Sequence, residues 1–260
     1  MDDKVILQVD GSIATVILNR PQVLNALDSG MWAGLERAAL SIMSQPRINV
    51  VILTGVGDKA FSAGLDLKAA SSGSFPTARH RRRKGLDKIL TLNHIFTMYE
   101  DLAVPVIAAV NGYCLGVGVE LILCCDMRLA AEHAIFGLPE IDLGTIPDMG
   151  GTQRLPRLVG PGPAKELIYT ARRINAAEAL RIGLVDRVYP RAQLMAEARK
   201  LAEEIASKNP AAMQAAKKAI NAAFSTVLEA GLRYETALAV STVGEGKKFA
   251  QAAAALQKRK

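Results

Sequence analysis

Cysteine is scarce in this chain of 260 residues: there are three, Cys114, Cys124 and Cys125, all within one apolar stretch. Neither a metal-ligand spacing nor a disulfide framework can be built from them, so reduced, buried thiols are expected. Aromatic residues make up only 5% of the chain while alanine is abundant, which favours close-packed helices over an all-β sandwich. Long apolar runs are missing too. The longest is broken by Pro105, Asn111 and glycines and soon reaches Glu120, so no membrane-spanning helix fits. Met1-Asp-Asp-Lys4 carries neither an apolar signal nor a basic transit segment, and a reducing cytoplasm is the expected compartment.

What is present points to a folded protein, with 50% hydrophobic and 22% charged residues. The length suffices for one large domain or a domain with an appendage. The formal charge of +7 suits polyanionic partners such as nucleotide cofactors or nucleic acid, and it equally suits plain solubility.

Val5 to Gln8 and Ile13 to Leu18 flank Asp10-Gly11, a hairpin signal. Ser29 is placed to cap a helix from Met31 towards Met43, and Val50 to Thr54 reads as a buried strand. A Ser/Gly/Pro loop over 71–76 and the basic run Arg79 to Lys84 precede a helix predicted over Gly85 to Tyr99. Further strands are predicted at Val104 to Val110, Met127 to Ala131 and Ala134 to Phe136, with a helix from Val117 to Cys125 between the first two. Gly144 to Thr152 reads as a loop. Helices are then predicted at Pro163 to Thr170, Ala176 to Arg181, Arg191 to Ser207, Ala211 to Phe224 and Val227 to Val240. Strands alternating with helices make the class α/β, with a strand-plus-helix body over 1–195 and an all-helical end over 196–260.

Two segments carry the chemistry, Phe61-Ser-Ala-Gly-Leu-Asp-Leu67 and Asn111-Gly-Tyr-Cys-Leu-Gly-Val-Gly-Val-Glu120. Each reads as an apolar strand turning through glycine into a helix, which leaves backbone N–H groups free at the helix start. Two such turns facing one point would form an oxyanion hole, with Leu65 and Val117 as the donors. Glu120, three residues beyond Val117, falls on the same helix face. Alone, Glu120 is also an ordinary first-turn glutamate, and Asp66 an ordinary cap. The loop from Phe136 to Arg154 adds Glu140, Asp142 and Asp148 in apolar surroundings, where burial and a neighbouring carboxylate would raise a pKa. Asp142 reads better as a surface or capping residue.

Asn19-Arg20-Pro21 with Asn25-Ala26-Leu27, then Phe61 to Leu67, Ala109 to Glu120 and Phe136 to Arg154, resemble the signature of the crotonase, or enoyl-CoA hydratase/isomerase, superfamily. Arg172 to Leu180 and Gly183 to Val188 extend the resemblance over essentially the whole chain. It implies a crotonase-like spiral of β-β-α units with a C-terminal helical trimerisation segment, assembled as a homotrimer or a hexamer. It implies an acyl-CoA thioester as substrate and no separate cofactor, coenzyme A being part of the substrate. The thioester oxygen would be held by the Leu65 and Val117 N–H groups, with Ala63, Gly64, Asp66, Gly116 and Gly118 lining the substrate site. Lys59 and Lys68 would approach the nucleotide phosphates.

The resemblance also implies two catalytic glutamates. Glu120 would take a proton from water attacking C3 of a 2-enoyl thioester, and Glu140 would deliver one to C2, giving a 3-hydroxyacyl-CoA. Asp148 stands where hydratases usually carry glycine and dienoyl-CoA isomerases carry aspartate, so an isomerase using Glu140 and Asp148 is the alternative. A non-catalytic CoA- or RNA-binding protein is a third reading. The basic run Arg79 to Lys84 raises it, and the lack of interleaved aromatics argues against it.

Overall fold

A computed structural model of the protein describes residues 3–71 and 84–242, with side chains from 90 onward in the second stretch. Arg79 to Arg83 and the Lys84 side chain lie outside the described residues, so nothing is added to the reading of that basic run. By its internal contacts the chain divides into two units at Ser207.

The first unit begins with the expected hairpin. Strands β1 (Val5–Asp10) and β2 (Ile13–Leu18) pair antiparallel, with Gly11 in the left-handed region at φ 59°. Helix α1 (Ser29–Met43) follows, but its cap is Asp28 and not Ser29. The Asp28 carboxylate accepts from the Met31 N–H at 2.9 Å, so Ser29 is already the first helical residue.

Three β-β-α repeats come next, and they explain the architecture. In each, the first strand joins a large sheet and the second a small one. β3 (Val50–Gly55) and β4 (Ala60–Ser62) lead to the short α2 (Leu67–Ala69) and then α3 (Lys84–Asp101). β5 (Val106–Val110) and β6 (Tyr113–Leu115) lead to α4 (Val117–Ile122). β7 (Met127–Ala131) and β8 (Ile135–Gly137) lead to a 3-10 helix, Pro139–Leu143, and α5 (Gly151–Val159). After α6 (Pro161–Thr170), β9 (Ile174–Asn175), α7 (Ala176–Arg181) and β10 (Arg187–Tyr189), the unit ends in α8 (Leu194–Ala206). The large sheet runs β1-β2-β3-β5-β7-β10, parallel from β2 onward, and the small one runs β4-β6-β8-β9. This is the spiral that the crotonase resemblance implies.

β3 is buried along its whole length because both of its faces are covered. Val51 and Leu53 face the main core with Phe61, Phe96 and Tyr99, whereas Val50 and Ile52 face Leu194, Ala198 and Ala202 of α8. That second contact keeps α8 with the first unit, which ends at Ser207. Each such side chain taken from water contributes about 1.5–3 kcal/mol.

Helix α4 ends at Ile122, short of the predicted Cys125, and the predicted helix over Arg191 to Ser207 splits into a 3-10 turn and α8. The second unit contains α9 (Pro210–Ala222), capped by Asn209, and α10 (Leu228–Thr242). Ile220, Leu228, Leu232 and Val240 on these helices, and Phe224 in the turn between them, are exposed. No described helix is long and apolar enough to cross a membrane.

Candidate active site

The chemistry-bearing residues gather where β4, β6 and β8 end. Because those strands are parallel neighbours, the turns leaving their C-terminal ends meet on one side of the small sheet. The turn after β4 holds Ala63, Gly64, Leu65 and Asp66. Leu27 N–H donates to the Gly64 carbonyl and Asp66 N–H donates to the Leu27 carbonyl. In this parallel bridge the Leu65 N–H therefore points away from Leu27.

Arg20 and Asn25 brace this turn. Arg20 donates to the Ala26 carbonyl at 2.6 Å and pairs with Asp66 at 3.1 Å and Asp28 at 3.4 Å. Asn25 donates to the Ala60 carbonyl, while Ser62 Oγ donates to the Asn25 carbonyl and accepts from the Gly64 N–H. Asp66 also caps α2, accepting from Ala69 N–H at 3.0 Å, and that bond together with Arg20 holds its carboxyl below the usual range. Its side chain is thus engaged within the protein.

The turn after β6 is Gly116, the N-cap of α4, followed by Val117 and Gly118. Val117 N–H belongs to the first helical turn, where no intrahelical partner exists. The two turns lie against each other. A side-chain carbon on Gly64 (φ 92°) would come 2.7 Å from the Leu115 oxygen and 3.6 Å from the Val117 nitrogen. One on Gly118 would lie 3.0 Å from the Ser62 oxygen. Glycine at 64 and 118 is therefore a condition of this approach.

Glu120, on α4, is 1% exposed, and Glu140, in the 3-10 helix after β8, is 8% exposed. A side-chain carbon on Gly116 would meet Glu140 Oε1 at 2.7 Å, which places Glu140 against the turn that presents Val117. Glu120 Oε1 accepts two hydrogen bonds of 2.8 Å, from the N–H groups of Met149 and Gly151. The other oxygen of each glutamate, Oε2, is buried without a hydrogen-bond partner. Asp148, half-buried in the intervening turn, acts on both glutamates by charge repulsion.

Burial pushes the Glu120 carboxyl up to about 8. The Gly151 and Met149 N–H donors oppose the rise, and the charges of Glu140 and Asp148 add to it. Burial also pushes Glu140 up to about 7, with Asp148 contributing and its own backbone N–H opposing. Between these values the pair holds one proton, so the site offers one acid and one base near neutral pH. Of the two, Glu140 carries the lower value.

Two expected residues stand apart from this cluster. Lys68 is exposed on α2, just beyond Leu65. Lys59 is exposed at the opposite end of β4, where it lines a cavity of about 730 Å³ with Asp58, Tyr113, His133 and Arg191 among others. Asp142 is exposed, as a surface residue should be. Cys114, Cys124 and Cys125 are buried, as expected, and none forms a disulfide among the described residues. Among the described residues no group of His, Cys, Asp and Glu is arranged to hold a metal ion.

Sequence reasoning missed the Met149 and Gly151 donors, since a backbone N–H has no residue signature. It also missed Arg154, Glu100 and Thr97, which brace the same turn from α5 and α3.

The profile of the Enoyl-CoA hydratase/isomerase family matches residues 8–260. A crotonyl-CoA hydratase of Syntrophomonas wolfei is 42% identical over 233 residues, covering 90% of this chain and 87% of that protein. A short-chain-enoyl-CoA hydratase of Clostridium acetobutylicum is 42% identical over 234 residues, with 90% and 87% covered. The crystal structure of an enoyl-CoA hydratase from Bacillus anthracis superposes with a TM-score of 0.90 at 39% identity, covering 98% of this chain and 96% of that one. Fold, paired glutamates and likeness over nearly the full length agree, and the chain belongs to the enoyl-CoA hydratase/isomerase family, the crotonases.

Proposed function

We propose that the protein is an enoyl-CoA hydratase, adding water across the 2,3-double bond of a 2-enoyl-CoA to give a 3-hydroxyacyl-CoA. One observation carries the reading. Two buried glutamates meet beside the Gly64 and Gly116 turns, each with an unpartnered carboxyl oxygen and a raised pKa. A protein that merely bound acyl-CoA would have no use for burying both carboxyls there.

The thioester oxygen accepts hydrogen bonds from the Leu65 and Val117 N–H groups, each worth about 3–4 kcal/mol once negative charge develops on it. Withdrawal of electrons through the thioester makes C3 electrophilic. Water oxygen bonds to C3, the ionised glutamate takes the water proton, and the π pair moves to C2 and the thioester oxygen. The protonated glutamate then delivers its proton to C2. We assign the base to Glu120 and the acid to Glu140. The Met149 and Gly151 donors favour the ionised form of Glu120, while burial opposes it.

Glu120→Gln and Glu140→Gln should each remove most turnover while leaving acyl-CoA binding nearly unchanged. A loss explained wholly by weaker binding would contradict the reading. The roles are separated by exchange of the C2 proton of butyryl-CoA with heavy water. Glu120→Gln should keep the exchange and Glu140→Gln should lose it. The opposite pattern would swap acid and base.

Coenzyme A enters as part of the substrate and no further cofactor is needed; Lys68, exposed just beyond Leu65, is placed to serve its phosphates, whereas Lys59 lies at the opposite end of β4 and is not. The exposed apolar side chains of α9 and α10 are suited to self-assembly as a trimer or a hexamer. Buried thiols outside any disulfide suit a reducing cytoplasm.

The charge of Asp148 on both glutamates favours a second reading, an enoyl- or dienoyl-CoA isomerase in which Glu140 and Asp148 move the proton. Asp148→Asn would then be as damaging as Glu140→Gln. Full activity in Asp148→Asn would remove this reading.

A further inference from the structure

Glu120 is held by a turn, and the turn itself needs holding. Asp148, Met149 and Gly150 lead from Pro147 into Gly151, the first residue of α5, with Gly150 in the left-handed region at φ 106°. Among the described residues, the N–H groups of this turn are the ones that ligate Glu120 Oε1. A shift of the turn would therefore move both donors together.

Arg154, one turn into α5, folds back over it. Its Nη1 donates to the Met149 carbonyl at 3.3 Å and packs on Gly150, where a side-chain carbon would come 2.0 Å from that nitrogen. The rest of the fork reaches α3. Nε and Nη2 donate to Glu100 Oε2 at 2.9 and 2.7 Å, and Nη2 donates to Thr97 Oγ1 at 3.0 Å. The Arg154 side chain is 17% exposed and Glu100 is 40% exposed, so this tie is partly shielded from water.

We propose that Arg154 is a positioning residue of the reaction: its fork ties the Met149–Gly151 turn to α3 and thereby fixes the two donors that hold Glu120. The guanidinium is matched to this task. It makes four hydrogen bonds to three partners from one rigid plane, which a lysine ammonium on a flexible stem cannot reproduce. Arg154 touches neither glutamate nor the reacting carbons, and its effect passes through the turn.

The charges that face Glu120 come from several elements. Glu140 in the 3-10 helix and Asp148 in the turn repel its carboxylate. Cys124 lies beyond it on the α4 side, and Arg154, itself paired with Glu100, supplies the positive charge. Loss of Arg154 would remove that charge and loosen two N–H bonds to the carboxylate. Each of these disfavours the ionised form, so the Glu120 midpoint should move up.

The inference rests on the hydratase reading for its kinetic part, and the test has a readout that does not. Infrared titration of the full-length protein follows the carboxylic-acid carbonyl band, and subtraction of the Glu120→Gln spectrum isolates Glu120. In Arg154→Met the midpoint should rise by about one pH unit. The kcat for crotonyl-CoA hydration should fall about 100-fold with KM little changed, and Arg154→Lys should fall between that variant and the wild type on both measures. An unchanged Glu120 midpoint in a folded Arg154→Met protein overturns the proposal, even with kcat reduced, because Arg154 would then serve packing alone. Should Arg154→Met fail to fold, Arg154→Lys decides: a raised midpoint supports the proposal and an unchanged one overturns it. A wild-type protein that leaves crotonyl-CoA untouched would count against the hydratase reading, while the titration would still decide the role of Arg154.

Discussion

Two N–H groups hold one oxygen of Glu120, and its second oxygen is buried without a partner. Protein interiors normally pair such groups, because an unmade bond costs about 1–3 kcal/mol. Glu140 has the same defect a short distance away. Two adjacent unpaired carboxyl oxygens are poor for stability and well suited to a water and a thioester. With midpoints at about 7 and about 8, rate should follow a narrow bell centred between them. Below the lower value both glutamates are protonated and no base remains, and above the higher one both are ionised and no acid remains. A hydration rate flat from pH 5 to 10 would contradict this. Stability carries the same signature. The folded midpoint of Glu120 is above its ordinary 4.5, so the native state binds more protons there than the unfolded chain, and stability falls as pH rises from 4.5 towards 8. Glu120→Gln, which escapes this loss, should melt no lower than wild type at pH 8. A clear drop in its Tm at that pH would show that the Glu120 charge supports the fold.

Elements place these residues with little freedom to spare. The turns after β4 and β6 approach so closely that Gly64 meets the Leu115 carbonyl, and any side chain at 64 must also adopt φ 92°. Gly64→Ala should therefore separate the turns that carry Leu65 and Val117. We expect kcat/KM to fall by about 100-fold, with stability reduced by no more than about 1–3 kcal/mol. Wild-type kcat/KM in a folded Gly64→Ala protein would show that the turns do not act together. Much of this arrangement is legible in the residues. Val50 to Thr54 announces a buried strand by its β-branched run, Asp10-Gly11 announces a hairpin, and the order glycine, valine, glutamate places Glu120 one turn from Val117. Other parts are not legible for physical reasons. β6 is three residues between two glycines, too short for any periodicity to show, so the segment reads as strand directly into helix. Asp28 and Ser29 are both good caps, and only the backbone conformation at 28 decides between them. The support of Glu120 comes from N–H groups brought in from a distant loop, which no pattern of side chains reveals.

At the scale of the molecule, the repeated β-β-α plan explains why one site draws on three separate stretches of chain. Each repeat delivers one turn to the C-terminal side of the small sheet, and the glutamates arrive on consecutive repeats. The second unit contributes a different property. Ile220, Leu228 and Val240 are exposed on its helices, and an apolar surface of this kind is expected to be covered by copies of the same chain. Sedimentation should give a trimer or a hexamer, and a monomer at micromolar concentration would refute that. The central claim concerns chemistry, and its most direct test is the absorbance of the conjugated thioester of crotonyl-CoA after the purified protein is added. The account predicts that the absorbance falls as 3-hydroxybutyryl-CoA accumulates, and that Glu120→Gln and Glu140→Gln each abolish the fall. An unchanged absorbance with the wild-type protein, or an undiminished fall with both variants, would contradict it.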